Sequence, residues 1–191
     1  TIGISTDKAC KPDSVYGYTK SMMESMFMQH HNEKTKFICT RFANVANSNG
    51  SVIPFWLAEA ERGNKLKLTD PKMNRLMFSK KDASKLIYKA IDYAIHGFDK
   101  SFILCQIMKT VNMLDLANVI GKGVEIVGKR PGEKLNETLI SKKELDRTLV
   151  NKEYVFIFVD KVTTKNLKKE HSSDNAKTMT KKEMRDLICK K

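Results

Sequence analysis

Between residues 80 and 96 the apolar positions recur at alternating steps of three and one, at Ala83, Leu86, Ile87, Ala90, Ile91, Ala94 and Ile95. These positions share one helical face, so the spacing predicts an amphipathic helix with a core-facing stripe. Ser79 and Asp82 supply a capping-box-like start to it, and Gly97 a stop. A second helix is predicted over about 14–33, with Ser14 as N-cap. Met22, Met23, Met26 and Phe27 form its expected core stripe, and His30 and His31 sit where they complement the helix dipole. Shorter helices are predicted over 53–61, closed by Gly63, and over 112–120. Ser141 with Glu144 opens a further turn. Thr180 with Glu183 caps a last helix whose apolar face is Met184, Leu187 and Ile188. Strands are predicted over 1–5, 37–41, 102–104, 125–127 and 154–159. The stretches 44–51 and 160–175 read as loops, and Trp56 as a packing residue.

Composition narrows the picture. The chain has 191 residues, enough for one ordinary domain with a real core, and its 41% hydrophobic content is globular. No apolar run reaches the length of a membrane span, and no signal peptide is visible. Cys10, Cys39, Cys105 and Cys189 are scattered, without a C-x-x-C or zinc spacing, which points to reduced thiols, a cytoplasmic setting and no metal site. The net charge is +13, with lysine clusters near 165–169 and 181–191. The lysines are otherwise spread along the chain with no aromatic-interleaved basic motif, so nucleic acid is not the expected partner. A basic surface does favour an anionic ligand.

Candidate chemistry concentrates near the first residue. Ser5-Thr6-Asp7-Lys8-Ala9 ends the first strand, a loop with Pro12 and Asp13 follows, and Tyr16-Gly17-Tyr18-Thr19-Lys20 opens the first long helix. Asp7 and Lys8 therefore lie at the carboxyl end of a strand, where open α/β sheets bind their ligands. Tyr16 and Lys20 share a helical face, where an ammonium would stabilise a phenolate able to take a proton from a sugar hydroxyl. Each half alone is commonplace: Tyr-x-x-x-Lys is usually helix surface, and an Asp-Lys pair is usually a solvated loop. The whole string at this spacing is far more specific.

With these residues the sequence resembles the extended short-chain dehydrogenase/reductases that act on nucleotide-activated sugars. Within them it is most similar to the polysaccharide-biosynthesis type of UDP-N-acetylglucosamine 4,6-dehydratase. Three further segments carry the resemblance in the family's order: Arg41-Phe42-Ala43-Asn44-Val45 with Ser48-Asn49-Gly50-Ser51-Val52-Ile53-Pro54, then Met73-Asn74-Arg75, then Arg130-Pro131-Gly132-Glu133-Lys134-Leu135. Ser173-Asp174-Asn175 and the last helix are also similar to the family's C-terminus. Departures are Ala43 for the usual glycine, Asn74 for the usual threonine, and Asn136 where histidine is frequent.

The resemblance implies an α/β fold: the C-terminal part of a Rossmann-type doubly wound sheet plus a small α/β substrate-binding lobe. Residues 1–55 would be a remnant of the NAD(P)-binding domain with the catalytic segment, and 56–191 a mixture of substrate lobe and last Rossmann elements. No Gly-x-x-Gly-x-x-Gly occurs, and Gly121-Lys122-Gly123 lacks the spacing. On the order of 120 residues with the first βαβ units would precede Thr1 in the family's architecture. The implied cofactor is NAD or NADP, with Ser5, Tyr16, Lys20, Ala43 and Val45 beside it. Tyr16 would take the 4-hydroxyl proton, Lys20 assist it, Lys8 remove the C5 proton, Asp7 protonate the leaving 6-hydroxyl, and Thr6 orient the sugar. A lysine base must be neutral, which needs burial. Asn44 would lie near the diphosphate, Arg75 on the phosphates, and Arg130 with Glu133 near the nucleoside. The implied partners are a nucleotide-sugar and either a separately encoded N-terminal half or a second copy of the chain. Two other readings stand beside the dehydratase: a nucleotide-sugar 4-epimerase, against which Lys8 argues, and a non-catalytic sugar-nucleotide- or partner-binding remnant.

Overall fold

The computed structural model describes residues 1–30, 34–121 and 123–189. In chain order the first elements are β1 (Ile2–Thr6), a 3-10 turn (Asp7–Ala9), α1 (Val15–Gln29), β2 (Ile38–Phe42), β3 (Asn44–Val45) and α2 (Val52–Glu61). Then come β4 (Leu66–Leu68), β5 (Asn74–Phe78), α3 (Lys80–His96), β6 (Ile103–Gln106), β7 (Thr110–Asn112), α4 (Met113–Ile120) and β8 (Val124–Ile126). The chain ends with β9 (Thr138–Ile140), a 3-10 stretch (Lys142–Arg147), β10 (Thr148–Asn151), β11 (Tyr154–Ile157), β12 (His171–Ser172) and α5 (Lys181–Cys189). These elements fall into two compact units that alternate along the chain: 1–43, 81–107 and 138–172 in the first, 44–80, 108–137 and 173–191 in the second. Residue 55, where the expected boundary lies, is within α2, a helix of the second unit.

The first unit is built on a five-stranded sheet of order β1-β2-β6-β11-β10. β1, β2 and β6 run parallel, with Ile2 opposite Ile38 and Thr6 opposite Phe42; β11 and β10 continue the sheet antiparallel. Because α1 joins β1 to β2 as a crossover, the parallel strands are covered and read as apolar runs. Ile38, Cys39, Leu104, Cys105, Phe156 and Ile157 are accordingly buried. Phe98, Phe102, Phe156 and Phe158 with Tyr93 form an edge-to-face aromatic cluster behind them.

α1 departs from expectation. It ends at Gln29 with His30 as its C-cap, and His31 lies outside the described residues. Met22 and Met26 are 64% and 61% exposed, whereas the buried positions are Gly17, Glu24 and Met28. The inward face thus carries a carboxylate. Apolar periodicity could not find it, because the partner that makes its burial tolerable is Arg41 on β2, whose guanidinium donates to both Glu24 oxygens at 2.8 and 2.6 Å. α3 matches its predicted span, with Ala83, Leu86 and Ala90 inward, but Ile91 and Ile95 at the end of the stripe are exposed. The 160–175 segment is not wholly surface loop. Its end forms β12 against β9, with His171, Ser172 and Ser173 buried.

The second unit packs α2, α4 and α5 around Ile53, Trp56, Leu66, Leu68, Met77, Leu116, Met184 and Leu187. A three-stranded sheet of order β3-β5-β7 and the parallel pair β4-β8 complete it. Trp56 packs as expected, its indole N–H donating to Lys67 O at 3.0 Å. Asn112 caps α4 by accepting from Leu114 N and Asp115 N, and Thr180 and Glu183 cap α5 reciprocally.

Candidate functional site

In the first unit the acid–base candidates gather where β1 stops. Thr6 ends the strand with extended backbone, and its hydroxyl oxygen accepts from Lys8 N, starting the 3-10 turn of Asp7–Ala9. The same hydroxyl donates to Asp7 Oδ1 at 2.9 Å, and Lys8 Nζ donates to that oxygen at 3.1 Å. Asp7 is 1% exposed, and its second oxygen, Oδ2, is buried without a hydrogen-bond partner. The Lys8 side chain remains 35% exposed. Asp7 and Lys8 therefore form one coupled pair rather than two separate groups, and the burial a neutral lysine requires falls mainly on its carboxylate partner.

α1 is locked against this turn by its glycine. Ser14 Oγ accepts from Gly17 N at 3.2 Å as the N-cap. A Cβ on Gly17 would lie 2.7 Å from Lys8 O and 3.3 Å from Pro12, so only glycine allows the helix so close. Tyr16 and Lys20 are carried in by that approach. Lys20 Nζ donates to Ile4 O at 2.8 Å and stands 5.9 Å from the centre of the Tyr16 ring, while the phenol is half exposed. Ser5 is buried, its hydroxyl donating to Glu24 Oε1 at 2.6 Å, and Ala43 is buried at the end of β2.

Behind the site lies a charge cluster that sequence reasoning missed. Arg41, 1% exposed, donates to Glu24, to Glu144 Oε1 at 2.9 Å and to Leu139 O at 2.7 Å. Burial pushes the Glu144 carboxyl up, but Arg41 and the Ser141 N–H and hydroxyl prevail and hold it at about 2. The Cys10 thiol donates to Glu144 at 3.3 Å, and burial pushes it up to about 12. A cavity of about 310 Å³ opens here, lined by Cys10, Glu24, Arg41 and Glu144 rather than by Tyr16 or Lys8. The sequence signals at this cluster were the capping-box pair Ser141 and Glu144 and the place of Arg41 at the head of a family-like segment.

In the second unit, Arg130-Pro131-Gly132-Glu133 forms a type II turn: Glu133 N donates to Arg130 O at 3.0 Å and Gly132 has φ +75°. Glu133 also accepts from Arg130 N, while the Arg130 side chain is exposed. The Arg75 guanidinium, 7% exposed, donates to the carbonyls of Asn74, Lys134 and Leu135 and stands 4.0 Å from Glu133. Asn44 and Val45 lie on β3, opposite Met77 and Phe78. Asn44, Arg75, Arg130 and Glu133 thus belong to one unit, and Asp7, Lys8, Tyr16 and Lys20 to the other. Among the described residues no cluster of side chains could hold a metal ion, no helix is long and apolar enough to cross a membrane, and Cys10, Cys39, Cys105 and Cys189 are free thiols.

Over 74% of its length the chain is 40% identical to the capsular polysaccharide biosynthesis protein CapD of Staphylococcus aureus, covering 25% of that protein. It is 34% identical over 84% of its length to an inverting UDP-N-acetylglucosamine 4,6-dehydratase of Campylobacter jejuni, covering 50% of it. A UDP-glucose 4-epimerase of Rickettsia bellii is 29% identical over 98% of the chain and is 60% covered. The chain thus spans between a quarter and three fifths of these relatives. Among solved structures, Pen from Bacillus thuringiensis superposes with a TM-score of 0.88 at 25% identity, over 98% of this chain and 61% of its own. An NAD complex of dTDP-glucose 4,6-dehydratase from Bacillus anthracis, at 19% identity and TM-score 0.55 over 68% of this chain and 49% of its own, shares the Rossmann-type α/β fold. Residues 1–159 match the profile described as "Polysaccharide biosynthesis protein", and the chain belongs to that family.

Proposed function

We propose that this chain carries the acid–base and substrate-binding groups of a nucleotide-sugar 4,6-dehydratase acting on a UDP-N-acetylglucosamine-like substrate. The observation that carries the reading is the Thr6–Asp7–Lys8 cluster, a buried carboxylate with one oxygen held by a hydroxyl and an ammonium and the other without a partner. The Campylobacter relative supports it. Bound NAD or NADP would supply reversible hydride transfer, which is what makes a sugar C4 hydroxyl oxidisable. Tyr16 takes the proton from that hydroxyl, and Lys20, fixed on Ile4 O, stabilises the phenolate. Lys8 removes the C5 proton, made acidic by the C4 ketone, and Asp7 protonates the hydroxyl leaving C6. Thr6 orients the pair. Arg130 and Asn44 are the groups of the second unit offered to the nucleotide diphosphate, since the Arg75 guanidinium already serves three main-chain carbonyls. A cofactor-binding half, in the same or another cytoplasmic polypeptide, completes the enzyme.

The 4-epimerase reading rests on the Rickettsia relative and uses only Tyr16 and Lys20. Incubating the chain with NAD and UDP-N-acetylglucosamine, alone and with the N-terminal half of a family member, separates the two by NMR. A 4-keto-6-deoxy product is expected. A C4 epimer without keto sugar establishes the epimerase, and unchanged sugar in both mixtures overturns the proposal.

A further inference from the structure

Two residues that depart from the family pattern, Asn74 and Asn136, touch: Asn74 Nδ2 donates to Asn136 Oδ1 at 3.1 Å. They belong to a ladder of side chains within the second unit whose direction is fixed from both ends. At one end, Asn112 Oδ1 is occupied by two helix N–H groups of α4, so its Nδ2 must donate, to Pro71 O and to Asn74 Oδ1 at 3.2 Å. Asn74 then faces Asn136 with its own Nδ2, and Asn136 must answer with oxygen. At the other end, Glu137 N donates to Ser173 Oγ at 3.0 Å, which leaves the Ser173 hydroxyl to donate, again to Asn136 Oδ1, at 3.3 Å. Ser173 is 1% exposed and braced by Ser173 N donating to Glu137 O. Two donor chains therefore converge on one oxygen. The Asn136 side chain cannot flip, and its Nδ2 group is left, on a partly exposed residue, with no partner among the described residues. The same segment is held to β5 by Arg75 and by Asn74 N donating to Leu135 O.

We propose that Asn136 is a substrate-binding residue, its amide donor aimed by the Asn112–Asn74–Asn136–Ser173 ladder at an acceptor oxygen of the nucleotide-sugar. This rests on the nucleotide-sugar reading above. The ladder needs only the oxygen of residue 136, whereas the ligand needs the nitrogen, so the two roles separate chemically. Asn136→Asp keeps the oxygen and discards the donor; Asn136→Leu discards both; Asn74→Asp places a carboxylate against Asn136 Oδ1 and breaks the ladder alone.

The test uses the whole chain, with UDP-N-acetylglucosamine affinity by calorimetry and amide hydrogen exchange at Glu137 as readouts. Asn136→Asp is expected to keep wild-type protection at Glu137 yet bind about tenfold or more weakly, the loss of a hydrogen bond to a charged or polar ligand atom. Asn136→Leu and Asn74→Asp are expected to lose both protection and affinity. Wild-type affinity in Asn136→Asp overturns the donor role. Lost protection in Asn136→Asp, or retained protection in Asn74→Asp, overturns the ladder. A wild-type chain that binds no UDP-sugar refutes the nucleotide-sugar reading and the donor role with it, while hydrogen exchange still decides the ladder.

Discussion

Gly17→Ala is the substitution that most directly probes how the site is assembled. In a helix, glycine to alanine ordinarily stabilises by about 1 kcal/mol. Here the new Cβ would sit 2.7 Å from Lys8 O, against an ordinary contact that begins at 3.4 Å, so helix or turn must retreat by about 0.7 Å. The obstructing atoms include main-chain Lys8 O and Pro12 Cα, which no rotamer change can clear. Overpacking of this kind costs about 1–3 kcal/mol, which cancels or exceeds the propensity gain. The retreat also carries Tyr16 and Lys20 away from Asp7 and Lys8, and a displacement approaching 1 Å can cost up to about 10²-fold in rate. Urea unfolding and 4-keto sugar formation together make the assay. Expected is a net loss of up to about 2 kcal/mol with a tenfold to hundredfold slower reaction. An alanine variant about 1 kcal/mol more stable than the native protein, with unchanged turnover, would refute the close-approach argument.

Other consequences are open to measurement. The Glu144 carboxyl, held at about 2 against an ordinary 4.5, contributes stability that is complete above pH 4.5 and lost as pH falls toward 2. The loss is about 3 kcal/mol, and unfolding in urea at stepped pH should show it in the native protein and not in Glu144→Gln. Arg41→Met leaves two buried carboxylates facing each other, a loss of about 3–5 kcal/mol visible in the same urea titration; a neutral result would mean the cluster is hydrated. Lys8→Met should slow 4-keto sugar formation by about 10²–10⁴-fold and abolish solvent deuterium incorporation at C5; normal incorporation would remove Lys8 from the base role.

The helices were legible because their signals are local. Ser14 and the Thr180–Glu183 box stand within a few residues of what they cap, and α3 announces itself by its stripe. β4, β5, β7, β9 and β10 went unread. The motif residues were found by their string, but their pairings were not. That Lys8 turns to Asp7, Arg75 to the carbonyls of 134 and 135, and Glu24 inward to Arg41 depends on contacts no spacing rule encodes.

The alternation of the two units along the chain bears on how the protein can be made and inherited. The first unit contains β2, complete by residue 42, and β10 and β11, which cap its sheet only at 148–157. At about 5–20 residues per second, a ribosome leaves the edge of β6 that pairs with β11 open for on the order of several seconds while 108–137 of the second unit are synthesised. Neither unit is a contiguous stretch of coding sequence, since 44–80 and 108–137 interrupt the first. A recombination break anywhere between residues 44 and 172 therefore divides both units at once.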